Sequence, residues 1–395
     1  MKHIRLTSSA RPLTDLDFSS GSRVEEINKL LVELERRECS HLQGKDILQS
    51  CVQAKDLIFS LTAQIYPLPS PNSLLLLSGG LCSGFLDVSP SDLGSSSPFV
   101  APCISYTLLV PIIRLPSPDL ILRSSPCHFL LPPSLWDPPN PELSPTSPSV
   151  TPHDVSSWFI PSFLSLVSHF SESFPHLSLE KAEPWGNCVS VLLSKPSSLL
   201  IRFDIVPVVE VQGWPPGFQC PDDWVGLPLT QEDCVFHLFP WGANGQWRVG
   251  FPGVELYIRR YLPQALSRVL RASMAVLGPI LLELGAPGPY VVWVTLLHAY
   301  ERLPQGYLGQ EDNAASCFLG ILEELSLSLL RGSCPNPFLP GCDLLSGSTH
   351  GPCLARWVSE VRVQPVYHLR DAVRGAKDAV KVGEKVESDE EKERV

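Results

Sequence analysis

Charged side chains are scarce in this chain of 395 residues. They make up 18% of the sequence, against about a quarter in an average soluble protein, while hydrophobic residues make up 44%. Acidic residues outnumber basic ones by 41 to 30, which gives a formal net charge of −11. A chain this acidic lacks the overall basic surface that non-specific nucleic-acid binding requires. We therefore expect a large buried core and no nucleic acid among the partners.

Paired metal-ligating cysteines are also missing. The sequence has twelve cysteines, but none belongs to a Cys-x-x-Cys pair, so the usual spacing of a tetrahedral zinc site is absent. Residues 1–18 lack the apolar stretch of a secretory signal peptide. These absences favour reduced cysteines in the core of an intracellular protein. We expect neither a metal nor a cofactor.

The sequence contains no convincing transmembrane helix. A span needs about twenty mostly apolar residues, and the longest apolar runs are interrupted by proline or charge. The segment 199–214, for example, contains Arg202, Asp204 and Glu210. These runs are interpreted as buried core, and peripheral membrane association remains compatible with the sequence.

Proline, in contrast, is abundant, with 40 residues. Its concentration predicts a disordered Pro/Ser-rich linker at 132–155, because such a segment cannot bury enough apolar surface to fold. Before it, 1–131 is predicted to hold N-terminal helices and the first half of a sheet, and 156–250 the second half. Residues 251–382 have the periodicity of a helical lobe, and 383–395 form an acidic disordered tail. The prediction is an α+β, bilobal fold with a mixed β-sheet lobe and a C-terminal helical lobe.

Two of the three features that a nucleotidyltransferase requires are present, and they stand in the required order. The turn Gly79-Gly80 could approach a triphosphate through backbone amides, and Asp204 lies in a later apolar strand. Such enzymes also need a Glu-x-Asp pair on the strand between them, since the three acids together hold two divalent metals. That strand has Ser105 and Thr107 instead, and hydroxyls are weak magnesium ligands without companion carboxylates. The sequence therefore predicts a degenerate site, in which Gly79 and Gly80 are the nucleotide contacts if there are any.

Each of these features also has an ordinary interpretation. Gly-Gly pairs are common in turns that bind nothing, and Asp204 alone is compatible with an acid that has a partner at a strand end. Asp87 and Asp92 lie in the loop before the strand of Ser105 and are interpreted as solvated residues rather than displaced ligands. Only the order of the features favours the nucleotidyltransferase-like fold.

Longer strings in the sequence resemble the Mab-21 family, which shares the fold of cyclic GMP-AMP synthase. They are FDIVPVVEVQGWP (203–215), WRVGFPGVEL (247–256), PYVVWVTLLHAYERLP (289–304) and FLGILEELSLSLLRGSCPNPFLP (318–340). The resemblance implies a nucleotidyltransferase lobe closed by a helical bundle. It would place the first two metal ligands near Ser105 and Thr107 and the third at Asp204. The zinc-binding insertion of the cyclic GMP-AMP synthase branch is absent.

The resemblance also implies a function that composition and spacing do not show. It implies a non-catalytic signalling adaptor, a pseudo-nucleotidyltransferase that acts through protein partners, with a cytokine receptor common beta chain as the implied one. The implied setting is cytokine response and mitochondria-dependent apoptosis, at the mitochondrion or associated with a membrane. The alternative is a nucleotide-binding sensor or a divergent nucleotidyltransferase.

Overall fold

A mixed β-sheet and a set of packed helices make up the described part of the chain, which confirms the predicted α+β class. The computed structural model describes residues 21–42, 52, 56–64, 75–78, 103–125, 128–136, 148–170, 178–194, 200–215, 218, 234–240, 245–281, 288, 290–339, 341–346 and 348–374. The predicted nucleotide contacts Gly79 and Gly80 lie outside these residues, as do Asp87, Asp92 and the acidic tail.

In the described part of the chain the sheet has nine strands and is organised around one of them, β7. The strands are β1 (Leu75–Ser78), β2 (Cys103–Leu115), β3 (Leu122–Ser125), β4 (His128–Leu130), β5 (Ser178–Trp185), β6 (Cys188–Ser194), β7 (Leu200–Gln212), β8 (Val235–Phe239) and β9 (Trp247–Gly250). Their order is β1-β2-β7-β8-β9-β4-β3, and β6, itself paired with β5, also pairs with β7. Strands β2 and β7 run parallel along nearly their whole length, whereas β6 and β8 are antiparallel to β7. The near-continuous apolar sequence of β7 is what burial on both faces requires.

Among the described residues, helices form most of the second half of the chain and three earlier segments. They are α1 (Gly21–Leu42), α2 (56–64), α3 (Pro152–Phe170), α4 (Pro252–Tyr261), α5 (Gln264–Leu281), α6 (Tyr290–Arg302), α7 (Gln305–Leu308), α8 (Ala314–Arg331), α9 (Gly351–Val363) and α10 (365–374). Helix α3 packs on β5, β6 and β7, while α8 contacts α1, α5, α6 and α9. Helix α8 is therefore the centre of the helical lobe.

Helix α1 of the predicted N-terminal segment 1–131 packs against the helical lobe. The apolar period of its sequence predicts the helix, and Ile27, Leu31 and Leu34 are indeed buried. They face α5 and α8 rather than the sheet, and the carboxylate of Glu35 pairs with Arg268 of α5 at 2.6 Å. Residues 21–42 therefore pack with the helical lobe, although strands β1 and β2 of the same predicted segment belong to the sheet.

The described ends of the predicted disordered linker 132–155 are folded, which corrects the prediction of disorder for these residues. Trp136 and Val150 are buried, and Val150 bridges Leu131 at the edge of the sheet. The indole Nε1 of Trp247 donates a hydrogen bond of 2.8 Å to the carbonyl of Val150. Helix α3 then begins at Pro152. Large apolar side chains at these positions supply the buried surface that the proline content alone does not predict.

One helical segment among the described residues, Glu311–Arg331, is long and apolar enough to cross a membrane by length and composition, with a mean hydropathy of 1.3. The sequence interpretation does not consider it among the candidate spans. Two thirds (67%) of its most apolar window is buried inside the fold. Burial of this kind is typical of a core helix, so the segment is weak evidence for a membrane span.

A close approach of two helices can be tested at Gly351, the first residue of α9. A Cβ atom added there would lie 2.5 Å from the carbonyl oxygen of Leu329 in α8. We expect Gly351→Ala to lower the free energy of unfolding by about 1–3 kcal/mol, because the two backbones must separate. Urea denaturation measures the change.

Gly278→Ala is the matched control, because a Cβ at Gly278 in helix α5 meets nothing within 4 Å. It should leave stability unchanged or raise it by up to about 1 kcal/mol, since alanine favours a helix over glycine. Equal effects of the two substitutions would contradict the close packing of α8 against α9.

Candidate functional site

Asp204 lies in the middle of the sheet, with Thr107 directly opposite on β2 and Ser190 directly opposite on β6. Its side chain is only 2% exposed. Ser105, two residues before Thr107, has Arg202 as its register partner. The structure thus brings Ser105, Thr107 and Asp204 to neighbouring positions on two adjacent strands, as the resemblance implies.

The two faces of β7 differ in what covers them. Because side chains alternate along a strand, Asp204 shares a face with Arg202 and Val206. The small apolar cluster on this face contains Val206, Leu109 and Cys188. The opposite face, with Phe203 and Ile205, joins the main core of the molecule. Asp204 is therefore the acid on the less thickly covered face of the sheet.

Arg202 neutralises the carboxylate of Asp204. Its Nε donates a hydrogen bond of 2.9 Å to Asp204 Oδ1, and its side chain is 12% exposed. The guanidinium also lies 5.2 Å from the ring centroid of Trp185, close enough for a cation–π contact. A carboxylate this deeply buried requires such a counter-charge, because taking an isolated charge out of water is costly.

Burial nevertheless has the largest effect on the pKa values of the titratable groups at this site. It raises the pKa of the Asp204 carboxyl, against the opposing effects of the Arg202 charge and of hydrogen bonds from Arg202 and Ser190. Burial, with a further contribution from the Asp204 charge, also raises the pKa of the Cys188 thiol far above its ordinary value. Cys188 is therefore a neutral core thiol and not a nucleophile.

Glu210 does not complete the site. It lies six residues further along β7, about 20 Å from Asp204 at the rise of a strand. There it pairs with Arg114 at 3.4 Å, and burial raises its pKa despite that pairing. The neighbouring His237 is neutral, since burial lowers its pKa to about 4. Across the described residues, no group of three His, Cys, Asp or Glu side chains is placed to hold a metal ion.

The described residues around Asp204 do not fit the pair of divalent metals that the resemblance implies. Magnesium binds several oxygen ligands, mainly carboxylates and waters. Here one carboxylate oxygen is engaged by a guanidinium, and its neighbours Thr107 and Ser190 offer only hydroxyl groups. A fixed positive charge at this distance would also repel a metal ion. The arrangement is that of a buried ion pair.

Sequence reasoning missed Arg202 as a member of this site. The signal was present, because residues two apart on a strand point to the same face. An arginine at that spacing from a buried acid is the expected partner of its charge. The sequence interpretation used Arg202 only as an interruption of an apolar run.

A second buried acid, Glu255 of α4, was also missed. Its carboxylate accepts a hydrogen bond of 2.6 Å from the hydroxyl of Tyr290 in α6. The guanidinium of Arg259 lies 3.9 Å from it and 4.5 Å from the ring centroid of Trp293. Burial raises the pKa of both Glu255 and Tyr290. This network joins two helices, and its Glu255 and Tyr290 are buried, so it is interpreted as structural.

The fold and the site define a class: an α+β protein with a branched mixed sheet, a helical lobe and an arginine-neutralised strand carboxylate. No protein-family profile matches the chain. The chain is 28% identical to Transmembrane protein 102 of Bos taurus and 28% identical to Transmembrane protein 102 of Mus musculus. Each alignment covers 95% of this chain and 94% of the relative. The similarity therefore extends over almost the full length of both proteins.

The structural role of Arg202 can be tested by Arg202→Met. Removing one partner of a buried ion pair leaves the other charge uncompensated, so we expect a loss of about 3–5 kcal/mol in unfolding free energy at neutral pH. The loss should shrink on acidification. Without Arg202 the pKa of Asp204 in the folded state rises further, so the folded state binds a proton more tightly than the unfolded state does. The free energy of unfolding therefore recovers as the pH falls through that raised pKa.

Arg114→Met is the matched control, because its pair with Glu210 is about one third exposed. Exposed pairs contribute about 0–1 kcal/mol, so this variant should stay close to wild type. The double variant Arg202→Met with Asp204→Leu should regain most of the stability lost in the single one. Urea melts at several pH values provide the comparison, and a pH-independent loss in Arg202→Met would contradict the ion-pair assignment.

Proposed function

We propose that this chain is a non-catalytic Mab-21-like protein with a nucleotidyltransferase-like fold, and that it acts as a signalling adaptor through protein contacts. Its proposed partner is a cytokine receptor common beta chain, in signalling linked to mitochondria-dependent apoptosis. The observation that carries the proposal is the hydrogen bond from Arg202 to Asp204. It engages the one acid that matches the family's metal-binding pattern.

The chemistry of nucleotidyl transfer explains why this observation matters. Two-metal catalysis needs carboxylates that hold both metals close to the attacking and leaving oxygens. At the corresponding position of β2, Thr107 supplies a hydroxyl. The positive charge of Arg202 balances Asp204 internally, so the carboxylate is already satisfied without a metal. The same residues are well suited to holding three strands together.

Membrane association is proposed to be peripheral. The relatives are named as transmembrane proteins, which favours a location at a membrane. The candidate span Glu311–Arg331 packs inside the helical lobe. There Glu324 pairs with Arg302 at 3.5 Å, and Glu323 pairs with Arg362. Insertion into a bilayer would break these pairs and place two carboxylates in hydrocarbon, which is costly.

A nucleotide screen separates the adaptor from the nucleotide-binding alternative. We expect nucleoside triphosphates with magnesium to leave the melting temperature unchanged and to undergo no turnover. A ligand at a hundred times its Kd would add about 2.7 kcal/mol of stability, so even modest binding would be visible. Stabilisation by a nucleotide that Asp204→Ala abolishes would favour the sensor or divergent enzyme instead.

The proposed partner and the mode of membrane association can be tested together in cell fractions. In cells that express the receptor common beta chain, we expect the protein to sediment with membranes and to be released by alkaline carbonate, because its apolar helix stays inside the fold. Matched cells without the receptor chain should show less membrane-bound protein. Equal sedimentation in both cell types would argue against the receptor as partner, and retention after carbonate would show an inserted segment.

A further inference from the structure

A surface groove of about 450 Å³ lies where the start of α1 meets the junction of α9 and α10. Three arginines and one acid line it, Arg23, Arg370, Arg374 and Asp371, so its lining is net positive. A net positive groove stands out on a chain whose formal net charge is −11. The groove is remote in sequence from Asp204 and has no part in the site described above.

The side chains of the groove are held in a defined arrangement. Arg23 donates hydrogen bonds to the carbonyl oxygens of Arg362 and Val363 at the end of α9. Arg370 of α10 pairs with Glu26 of α1. Val363 and Tyr367, both lining residues, are each 64% exposed. Fixed positive charge beside exposed apolar surface is the chemistry that receives an acidic peptide with an aliphatic side chain.

We propose that the groove is the docking site of this chain's own acidic segment, 384–395. That segment contains six acids and three bases. Its central part, 387–391, contains four acids and no base, which matches the arginines of the groove. Val386, next to these acids, is the aliphatic side chain available to cover the exposed ring of Tyr367.

Chain connectivity supports this occupant over an unrelated acidic protein. Arg374, a lining residue, stands ten positions before Glu384 in the sequence. Ten residues reach up to about 35 Å when extended, which is ample for a return to the groove. A short tether also gives an effective concentration of about millimolar. Exposed ion pairs that are individually weak therefore suffice in an intramolecular complex.

The consequence is a self-covered binding surface on the helical lobe. An acidic partner protein would have to displace the tail before it reached the arginines. The docked tail would also shield Val363 and Tyr367 from water. This inference concerns a surface far in sequence from Asp204 and stands whether or not the chain is an enzyme.

The test uses the full chain and a fluorescent peptide with the sequence of 384–395. In a tail-neutral variant, Glu387, Glu390 and Glu391 become Gln and Asp389 becomes Asn, which should vacate the groove. We expect the peptide to bind this variant at least about tenfold more tightly than wild type, because the native tail competes at millimolar effective concentration. Binding should weaken as salt is raised.

Arginine substitutions then locate the binding. In the tail-neutral background, Arg374→Glu should weaken peptide binding by about tenfold or more, because one charge-assisted contact is lost and a like charge replaces it. Adding Arg370→Gln removes a second contact and should weaken binding further. Arg356→Glu is the matched control, because Arg356 is exposed on α9 but outside the groove. It should leave binding within about twofold of its parent. Unchanged melting temperatures would show that each variant is folded.

Three results would overturn the proposal. Equal peptide affinity for wild type and the tail-neutral variant would mean that the tail does not occupy the groove. The groove could then still bind a separate acidic protein, but the proposed occupant would be wrong. A peptide that fails to bind the tail-neutral variant would mean that the groove does not recognise this sequence. A loss of binding in Arg356→Glu as large as in Arg374→Glu would show diffuse charge attraction instead of docking.

Discussion

The burial of strand β7 is the constraint on which the rest of the structure depends. Along its thirteen residues it has β2 on one side and first β6, then β8, on the other. The sheet therefore branches at this strand, and both of its faces are covered by side chains. Strands in this position must be apolar on both faces, and β7 is so except at a few residues. Those exceptions are where the structure carries charge.

Asp204 follows directly from that constraint. A carboxylate in the centre of a sheet must be either paired or protonated, and Arg202, two residues earlier on the same face, pairs with it. Burial still raises the pKa of the Asp204 carboxyl, because removing its charge from water costs free energy that the pairing with Arg202 only partly offsets. An ion pair of this kind is weak evidence for stability, because apolar residues would often serve as well. The charge of Asp204 is instead balanced within β7 itself, between the neighbouring strands β2 and β6.

The parts that could be predicted from the sequence are those governed by local periodicity. The apolar spacing of Ile27, Leu31 and Leu34 gives a helix, and the long apolar run around Asp204 gives a buried strand. The parts that could not be predicted depend on distant partners. No local sequence pattern indicates that α1 packs on α5 and α8 rather than on the sheet. Likewise, the proline-rich composition of 132–155 gives no sign that side chains at both of its ends are buried. The placement of Ser105 and Thr107 beside Asp204 is implied by the resemblance, whereas no pattern in the residues predicts that β2 and β7 run parallel.

Helix α1 gives the helical lobe its closed form, because it links elements that are hundreds of residues apart. Asn28 accepts a hydrogen bond of 2.8 Å from the backbone amide of Ala315, at the start of α8. Glu35 binds Arg268 and Arg271 of α5, and Arg23 binds the end of α9. Helix α8 is thereby capped by α1 and enclosed by three other helices. The enclosure of α8 explains its apolar sequence. The surface of the lobe is what remains accessible to a partner, and it includes the arginines at the first turn of α1 and on α10.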